Sequence, residues 1–432
     1  MAKKSVAVVG LGYVGLPLAC VFADNGFVTV GVEADKKKTK MISKGVCPIP
    51  GKEPGLSELL MKVTKEGRLH VSTDPAECRK ADAIFICVDT PINKNKEPML
   101  GCLMDAVSDV GKHLKRGTIV SVESTVPPGT MEEKVIPILE KESGMRAGKD
   151  FSVVHCPERV MPGFLLRNLR GYERVIGGLD EESLRKGIAF YSTIVKSKLH
   201  PTDLLTAEIT KTVENTYRDV QIAFANEVAL ACEELGADAF EIRRLVNTCP
   251  YRDMHSPGAG VGGHCLPKDP WLFASSVSES LTSMIETARA INDSMPEHLA
   301  ELIVDALDEA GRRPAGSRLT VLGLAFLKDS GDVRNSPAMT VIDAFAGESD
   351  VVVHDPFVVK GYKVPITGDI EKALQGSDCV ALVTEHTIYK SLDLRRMAEL
   401  MRTRVIVDGR NVFDASECRK HGFVYRGIGK GK

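Results

Sequence analysis

The 432-residue chain has no excess of charge of either sign. Its 56 basic residues face 58 acidic ones, which excludes a nucleic-acid or membrane-surface protein held by bulk electrostatics and requires any anionic ligand to be bound locally. Its eleven cysteines form no C-x-x-C pairs or short regular spacings, so neither a zinc site nor a disulfide scaffold is indicated and a reducing cytoplasm is the expected setting. No segment approaches the roughly 20 apolar residues that a membrane-spanning helix needs. Lysines precede a few apolar residues between Met1 and Val9, but glycines interrupt the run at once, so the core of a signal peptide is missing. No short-period repeat is present. At this length, two or three domains can each bury a core.

Short β-branched runs alternate with helical patterns in the first half: SVAVVG (5–10), VTVGVE (28–33), DAIFICV (82–88), TIVSVES (118–124) and FSVVHC (151–156). Runs this apolar, separated by helices, predict a parallel sheet buried on both faces. From Pro201 to Asp238 no glycine or proline interrupts the chain until Gly236. Asp203 can cap that segment and Gly236 can end it. A helix of this size would run about 50 Å, which suits a link between domains and a surface for dimerisation. A further helical region follows, then GRRPAGSR (311–318) reads as a linker. The alternation restarts with LTVLGLAF, DVVVHD, DCVALVT and RVIVDG. The expected fold is α/β: two Rossmann-like doubly wound domains joined by a long central helix and a helical middle region. The divisions fall at 1–200, 201–310 and 316–432.

Two stretches match G-x-G-x-x-G. In GLGYVG, Gly10, Gly12 and Gly15 follow a strand, open a helical pattern and precede a second strand ending at Glu33, the context that a dinucleotide fingerprint requires. Gly10 permits a tight turn, Gly12 lets backbone N–H groups approach a pyrophosphate, and Gly15 allows close helix-to-strand packing. Glu33 can accept hydrogen bonds from a ribose 2′-OH and would repel a 2′-phosphate, favouring NAD over NADP. A tight packing turn with no ligand is the competing reading. The second match, GAGVGG (258–263), follows no apolar strand and leads into His264, Cys265, Leu266 and Pro267, which do not begin an amphipathic helix. Its glycines suit a loop that passes close to something bulky while presenting one side chain.

Seven ordered segments resemble the nucleotide-sugar 6-dehydrogenases of the UDP-glucose/GDP-mannose dehydrogenase family: GLGYVGLP, ESTVPPGT (123–130), CPERVMPG (156–163), AEITKTVENT (207–216), GVGGHCLPKDP (260–270), LAFLKDSGDVRNSPA (324–338) and DGRNVFD (408–414). The resemblance covers essentially the whole chain and implies an N-terminal NAD domain, a dimerising helix and a C-terminal UDP-sugar domain, with no metal. It implies NAD contacts from Gly10, Gly12, Tyr13, Val14, Gly15, Glu33, Thr90 and Thr125. Cys265 matches the nucleophile, Lys211 and Asn215 the pair that holds a water and an oxyanion, and Asp269 the acid beside that water. Glu158 and Thr125 match groups near the hydrolytic water. Substrate contacts are implied for Glu158, Arg159, Val160, Lys211, Asn215, Arg252, Gly260, Lys328, Arg334 and Arg410.

The reaction that the resemblance implies removes four electrons from a primary alcohol. An aldehyde is a poor hydride donor until a nucleophile adds to it, and a thiolate adds readily. By spacing alone, Lys211 and Asn215 would be ordinary solvated helix residues; Lys268 could equally be a surface charge, and Glu158 and Thr125 could merely cap turns beside prolines. The form CPERVMPG is most similar to the branch acting on UDP-N-acetyl-D-mannosamine; UDP-N-acetylglucosamine and UDP-glucose are the alternatives. Asp89 departs from the family, which usually has an uncharged residue there. A hydroxyacid dehydrogenase of the 6-phosphogluconate type and a non-catalytic NAD-responsive binding protein are the competing functions. A homodimer through the long helix, possibly pairing to a tetramer, is expected.

Overall fold

The computed structural model describes residues 4–51, 53–358 and 362–431; the outer limits of the expected domains, at residues 1 and 432, lie outside them. The chain divides into two compact units, one of residues 1–214 with 268–278, the other of residues 215–267 with 279–432.

The first unit is built on eight strands: β1 (Ser5–Val9), β2 (Val28–Val32), β3 (Leu69–Ser72), β4 (Ala83–Ile86), β5 (Ile119–Val122), β6 (Ser152–His155), β7 (Arg174–Gly178) and β8 (Leu199–Asp203), in the order β3-β2-β1-β4-β5-β6-β7-β8. Strands β1 to β6 are parallel, as their apolar runs require. The sheet is not parallel throughout, because β7 pairs antiparallel with β6, matching Val154 to Gly178, and β8 follows β7 in parallel. Strand order reverses between β1 and β4, and the crevice at such a switch point is where α/β sheets take ligands. The Gly10–Gly15 turn, leading into the helix Gly15–Asp24, stands at the end of β1.

The second unit carries β9 (Arg318–Leu322), β10 (Asp350–His354), β11 (Ile366–Thr367), β12 (Cys379–Leu382), β13 (Val405–Asp408) and β14 (Val424–Gly427), all parallel in the order β11-β10-β9-β12-β13-β14. The same order around β9 and β12 makes both units Rossmann-like. Helices Ala239–Val246 and Ser283–Glu309 supply the helical middle region.

One helix, Leu204–Leu235, runs 32 residues. Asp203 caps it, its carboxylate accepting from the backbone N–H of Thr206 at 2.8 Å and from the Thr206 hydroxyl at 2.7 Å. Gly236 ends it in the left-handed conformation, φ +71°. Buried positions Ala207, Glu208, Lys211, Thr212, Thr216, Asp219, Ala223, Asn226, Ala229 and Cys232 follow a helical period along one face. Val213, Tyr217 and Phe224 are exposed on the same helix.

Candidate functional site

The N-terminal glycine turn divides its work between packing and open space. A Cβ at Gly15 would lie 1.8 Å from the carbonyl oxygen of Gly10, and one at Gly10, φ +86°, would lie 2.8 Å from that of Cys87. Both positions therefore hold strand, turn and helix together. A Cβ at Gly12 would meet nothing within 4 Å, so packing does not account for that glycine. The helix behind it, Gly15–Asp24, has no side-chain cap at Val14; the N–H of Leu16 donates to the carbonyl of Gly12 at 3.1 Å and Pro17 has none, so the N–H groups of Val14 and Gly15 are the ones placed for an anion. Glu33 is held where β2 ends: its carboxylate accepts from the backbone N–H of Leu11 and of Asp35, each at 3.0 Å. These features fit a dinucleotide: an open approach to backbone donors, an uncapped helix start and a fixed acid. Tyr13 packs half-buried on the core, whereas Asp89 is exposed.

Val14 also lines a cavity with Glu123, Glu158, Arg159, Val160 and Arg174. The segment 156–165 forming part of its wall is tethered repeatedly. Arg174 donates to the carbonyl of Cys156 at 2.6 Å, Arg159 pairs with Glu214 on the long helix at 2.9 Å, and the backbone N–H of Val160 donates to the Glu158 carboxylate. The Glu53 carboxylate accepts from Gly163 N–H at 2.6 Å and Leu165 N–H at 3.2 Å. Behind the loop lies a wholly buried cluster in which Glu123 accepts from Arg174 and from the Tyr191 hydroxyl, while the guanidinium sits 5.0 Å from the Tyr191 ring. Glu53, Glu123, Arg174 and Tyr191 were not legible as site residues. Glu53 and Glu123 stand inside motif-like segments, KEPG and ESTVPPGT, but Arg174 and Tyr191 carry no local signal.

Lys211 is 6% exposed, so the solvated-lysine reading fails. Asn215, one turn on, is half-buried. On the same face, the Glu208 carboxylate accepts from the backbone N–H of Gly129 at 2.8 Å and Met131 at 2.7 Å. It thereby ties the ESTVPPGT segment, and with it half-buried Thr125, to the helix that carries Lys211. Burial pushes the Glu208 carboxyl up to about 7, against those two N–H groups. Lys268 is not a surface charge. It is buried, 2.9 Å from the Asp269 carboxylate, itself fully buried, and 3.5 Å from the Thr90 hydroxyl. That hydroxyl donates to the carbonyl of Thr125 at 2.6 Å.

Cys265, half-buried, belongs to the second unit with Asn215, Arg252, Gly260, Lys328, Arg334 and Arg410. The glycines before it fit a loop laid tightly on bulky neighbours. A Cβ at Gly262 would meet Phe326 at 2.5 Å, one at Gly263 the Phe326 ring at 2.8 Å, and one at Gly260 the ring of Pro296 at 2.9 Å. Gly260 and Gly263 also take φ +115° and +94°, where other residues are strained. The loop is pinned along its length. Ala259 N–H donates to Gly409 O at 3.1 Å, Gly263 N–H to Arg334 O at 2.8 Å, and the Asn335 amide to Gly263 O at 3.0 Å. Arg410 spends Nε on Val383 O, at 2.9 Å, and Nη2 on Gly260 O, at 3.0 Å, so these nitrogens fasten the loop. Arg334 forks onto Asp332, with Nη2 at 2.6 Å, whereas Lys328 and Arg252 are exposed.

The turn after β9 differs from the one after β1. A Cβ at Gly323 would lie 2.5 Å from Cβ of Thr384, and Leu324 and Ala325 stand beyond it. The backbone N–H groups of Leu324 and Ala325 both donate to the buried Asp355 carboxylate, at 2.8 and 2.9 Å.

Three models of the UDP-glucose/GDP-mannose dehydrogenase family match the chain in order: its NAD binding domain at residues 4–195, its central domain at 205–294 and its UDP binding domain at 320–415. A UDP-N-acetyl-D-mannosamine dehydrogenase of Pyrococcus horikoshii is 39% identical over 427 residues, 99% of each chain. A solved structure of UDP-D-ManNAc dehydrogenase from that organism superposes with a TM-score of 0.92 at 38% identity, covering 99% of both chains. An NDP-N-acetyl-D-galactosaminuronic acid dehydrogenase structure from Methanosarcina mazei gives 0.87, also at 38% identity, covering 99% of this chain and 95% of the other.

Proposed function

Because the chain belongs to the UDP-glucose/GDP-mannose dehydrogenase family and is an NAD-dependent nucleotide-sugar dehydrogenase, we propose that it oxidises C6 of UDP-N-acetyl-D-mannosamine to UDP-N-acetyl-D-mannosaminuronate. The observation that carries the choice of sugar is the full-length match to the Pyrococcus horikoshii relative; the CPERVMPG form of the substrate loop agrees with it. Residues 1–200 bind NAD, 201–310 carry the catalytic helix and loop, and 316–432 bind the UDP moiety. Eleven free cysteines suit a reducing cytoplasm. The exposed Val213, Tyr217 and Phe224 suit a homodimer through the long helix, which can pair further.

NAD⁺, when bound, accepts hydride from C6, and each sugar requires two. Gly12 and the N–H groups beyond it bind the pyrophosphate, Glu33 takes the ribose hydroxyls, and Thr90 and Thr125 border the same site. Lys211 and Asn215 stabilise the alkoxide that forms as the C6 hydroxyl gives its proton to the water they hold, before hydride leaves and the C=O bond forms, since an ammonium and an amide donate to negative charge on oxygen. Asp269 acts with the water they hold. The Cys265 thiolate then adds to the aldehyde carbon, forming a C–S bond while the oxygen takes a proton. Loss of the second hydride from C6, with the hydroxyl proton passing back to that water, leaves a thioester. Water, oriented by Glu158 and Thr125, attacks it, and the C–S bond breaks to return the thiolate and release the carboxylate. Arg159, Val160, Arg252, Gly260, Lys328, Arg334 and Arg410 shape the nucleotide-sugar site, Arg410 largely by fastening Gly260.

A panel of UDP-sugars assayed by NADH formation tests the substrate. The highest kcat/KM is expected for UDP-N-acetyl-D-mannosamine, and a higher value for UDP-glucose, UDP-N-acetylglucosamine or UDP-N-acetylgalactosamine refutes the choice. Cys265→Ala is expected to bind both ligands yet give at most one NADH per sugar, against two for wild type. Uronate formation at the wild-type rate would remove Cys265 from the mechanism.

A further inference from the structure

The start of the Cys265 loop is held by a device that none of the motifs contains. Gly258 N–H donates to Oδ1 of Asn226 at 2.9 Å. The amide of Asn226 donates to Oδ1 of Asn292 at 2.9 Å, and the amide of Asn292 donates to Asp219, at 2.9 Å to its carboxylate and 3.0 Å to its carbonyl. Arg289 closes the chain on the same carboxylate oxygen at 2.6 Å. Asp219, Asn226, Arg289 and Asn292 are each no more than 1% exposed.

Only one orientation of each amide satisfies this chain. A backbone N–H can only donate, so Asn226 must turn its oxygen to Gly258 and its nitrogen to Asn292. A carboxylate can only accept, so Asn292 must turn its nitrogen to Asp219. The two constraints meet at the Asn226–Asn292 bond without conflict. Buried amides of this kind are costly unless every group is paired, yet packing alone could have been served by apolar side chains. The feature they terminate on is the first residue of GAGVGGHC. Arg410 and Asn335 hold Gly260 and Gly263 from the side of the second sheet; the amide chain holds Gly258 from the long helix and from the helix Ser283–Glu309.

We propose that Asn226 and Asn292 are positioning residues for the Cys265 sulfur: through Gly258 they fix the origin of the loop that brings the thiolate to the aldehyde. This rests on the reading of Cys265 as the nucleophile. A displacement near 1 Å at a reacting atom costs on the order of 100-fold in rate, and Cys265 lies seven residues from the tether, with further pins between.

The test is a cycle between Asn226→Ala and Cys265→Ala, read with UDP-N-acetyl-D-mannosamine as uronate formed and as aldehyde trapped with semicarbazide. Asn226→Ala alone is expected to slow uronate formation about 10- to 100-fold with KM for both ligands within about threefold of wild type. On the Cys265→Ala background, where only the first hydride transfer remains, Asn226→Ala is expected to change trapped aldehyde by less than about threefold. Equal slowing on both backgrounds marks general structural damage and overturns the proposal, as does uronate formation at the wild-type rate in Asn226→Ala. If Cys265→Ala itself forms uronate at the wild-type rate, the nucleophile reading falls instead.

A further variant applies if Asn226→Ala does not fold. Asn292→Ala removes the acceptor that turns the nitrogen of Asn226 away from Gly258, and is expected to slow uronate formation about 10- to 100-fold while changing trapped aldehyde on the Cys265→Ala background by less than about threefold. Uronate formation at the wild-type rate, or equal slowing on both backgrounds, overturns the proposal.

Discussion

Gly12→Ala and Gly15→Ala should separate cofactor binding from folding, because the same added methyl group meets open space at one position and backbone at the other. At Gly15 the new Cβ would stand 1.8 Å from the carbonyl oxygen of Gly10 and 3.1 Å from Cβ of Cys87. A carbonyl oxygen cannot swing aside as a side chain can, so the helix Gly15–Asp24 must lift from β1. Overpacking of this kind costs about 1–3 kcal/mol, and at about 2–4 °C per kcal/mol the melting temperature should fall by roughly 2–12 °C. At Gly12 no atom lies within 4 Å, so stability should stay within about 0.5 kcal/mol of wild type. The methyl would instead keep the dinucleotide from the backbone donors. Losing one charge-assisted hydrogen bond, worth about 1.5–3 kcal/mol, weakens binding about 10- to 150-fold. Thermal melts without cofactor and calorimetric titration with NAD⁺ read the two effects independently. If Gly12→Ala binds NAD⁺ within twofold of wild type, the turn does not seat the pyrophosphate. A Gly15→Ala protein that melts with wild type would refute the packing argument.

Glu33→Ala should weaken NAD⁺ and raise relative use of NADP⁺, since it removes the carboxylate that repels a 2′-phosphate and also the acceptor for Leu11 N–H; a wild-type preference for NADP⁺ would contradict it. Glu208, raised by burial to about 7, keeps its proton in the native chain over pH values where the unfolded chain has lost it. Its contribution to stability is therefore fully present below about pH 4.5 and lost as pH rises through about 7. In Glu208→Gln the fall in stability between pH 5 and 8 should be smaller by on the order of 2 kcal/mol, measured by urea unfolding; an equal or steeper fall refutes it. Tyr217→Arg with Phe224→Arg places charge on the exposed face of the long helix and should convert a dimer to monomer in sedimentation velocity, while a dimer unchanged at micromolar concentration places the interface elsewhere.

The strands that sequence made visible are the continuous apolar ones: β1, β2, β4, β5 and β6 in the first unit and β9, β10, β12 and β13 in the second. Those it missed lack that signal. β7 reads RVIGG, with two glycines, and β8 reads LHPTD, with a proline tolerated at the sheet edge. β11 is two residues long. The long helix was legible because a cap, an uninterrupted segment and a terminal glycine agree. Its burial was not, since Lys211 looks solvated until the face that includes Ala207, Glu208 and Thr212 is known to be covered. Motif residues were found by pattern, whereas Arg174, Tyr191 and Asn292 are met through partners 18 to 73 positions away, a distance that no local pattern spans.

The closed turn after β9 bears on how a turnover is timed. Its two N–H groups belong to Asp355, and Gly323 is packed against Thr384, so the second sheet repeats the strand order of the first without offering a second dinucleotide seat of the same design. Two hydrides must then pass through one seat, and spent cofactor has to leave while a half-oxidised sugar waits. Whether that aldehyde becomes uronate or escapes is a race between its departure and the arrival of fresh NAD⁺. On the proposed mechanism the sulfur of Cys265 slows the first runner, since a sugar bonded to the chain cannot diffuse away. Excess NADH slows the second, and is the condition under which escaping aldehyde should be sought.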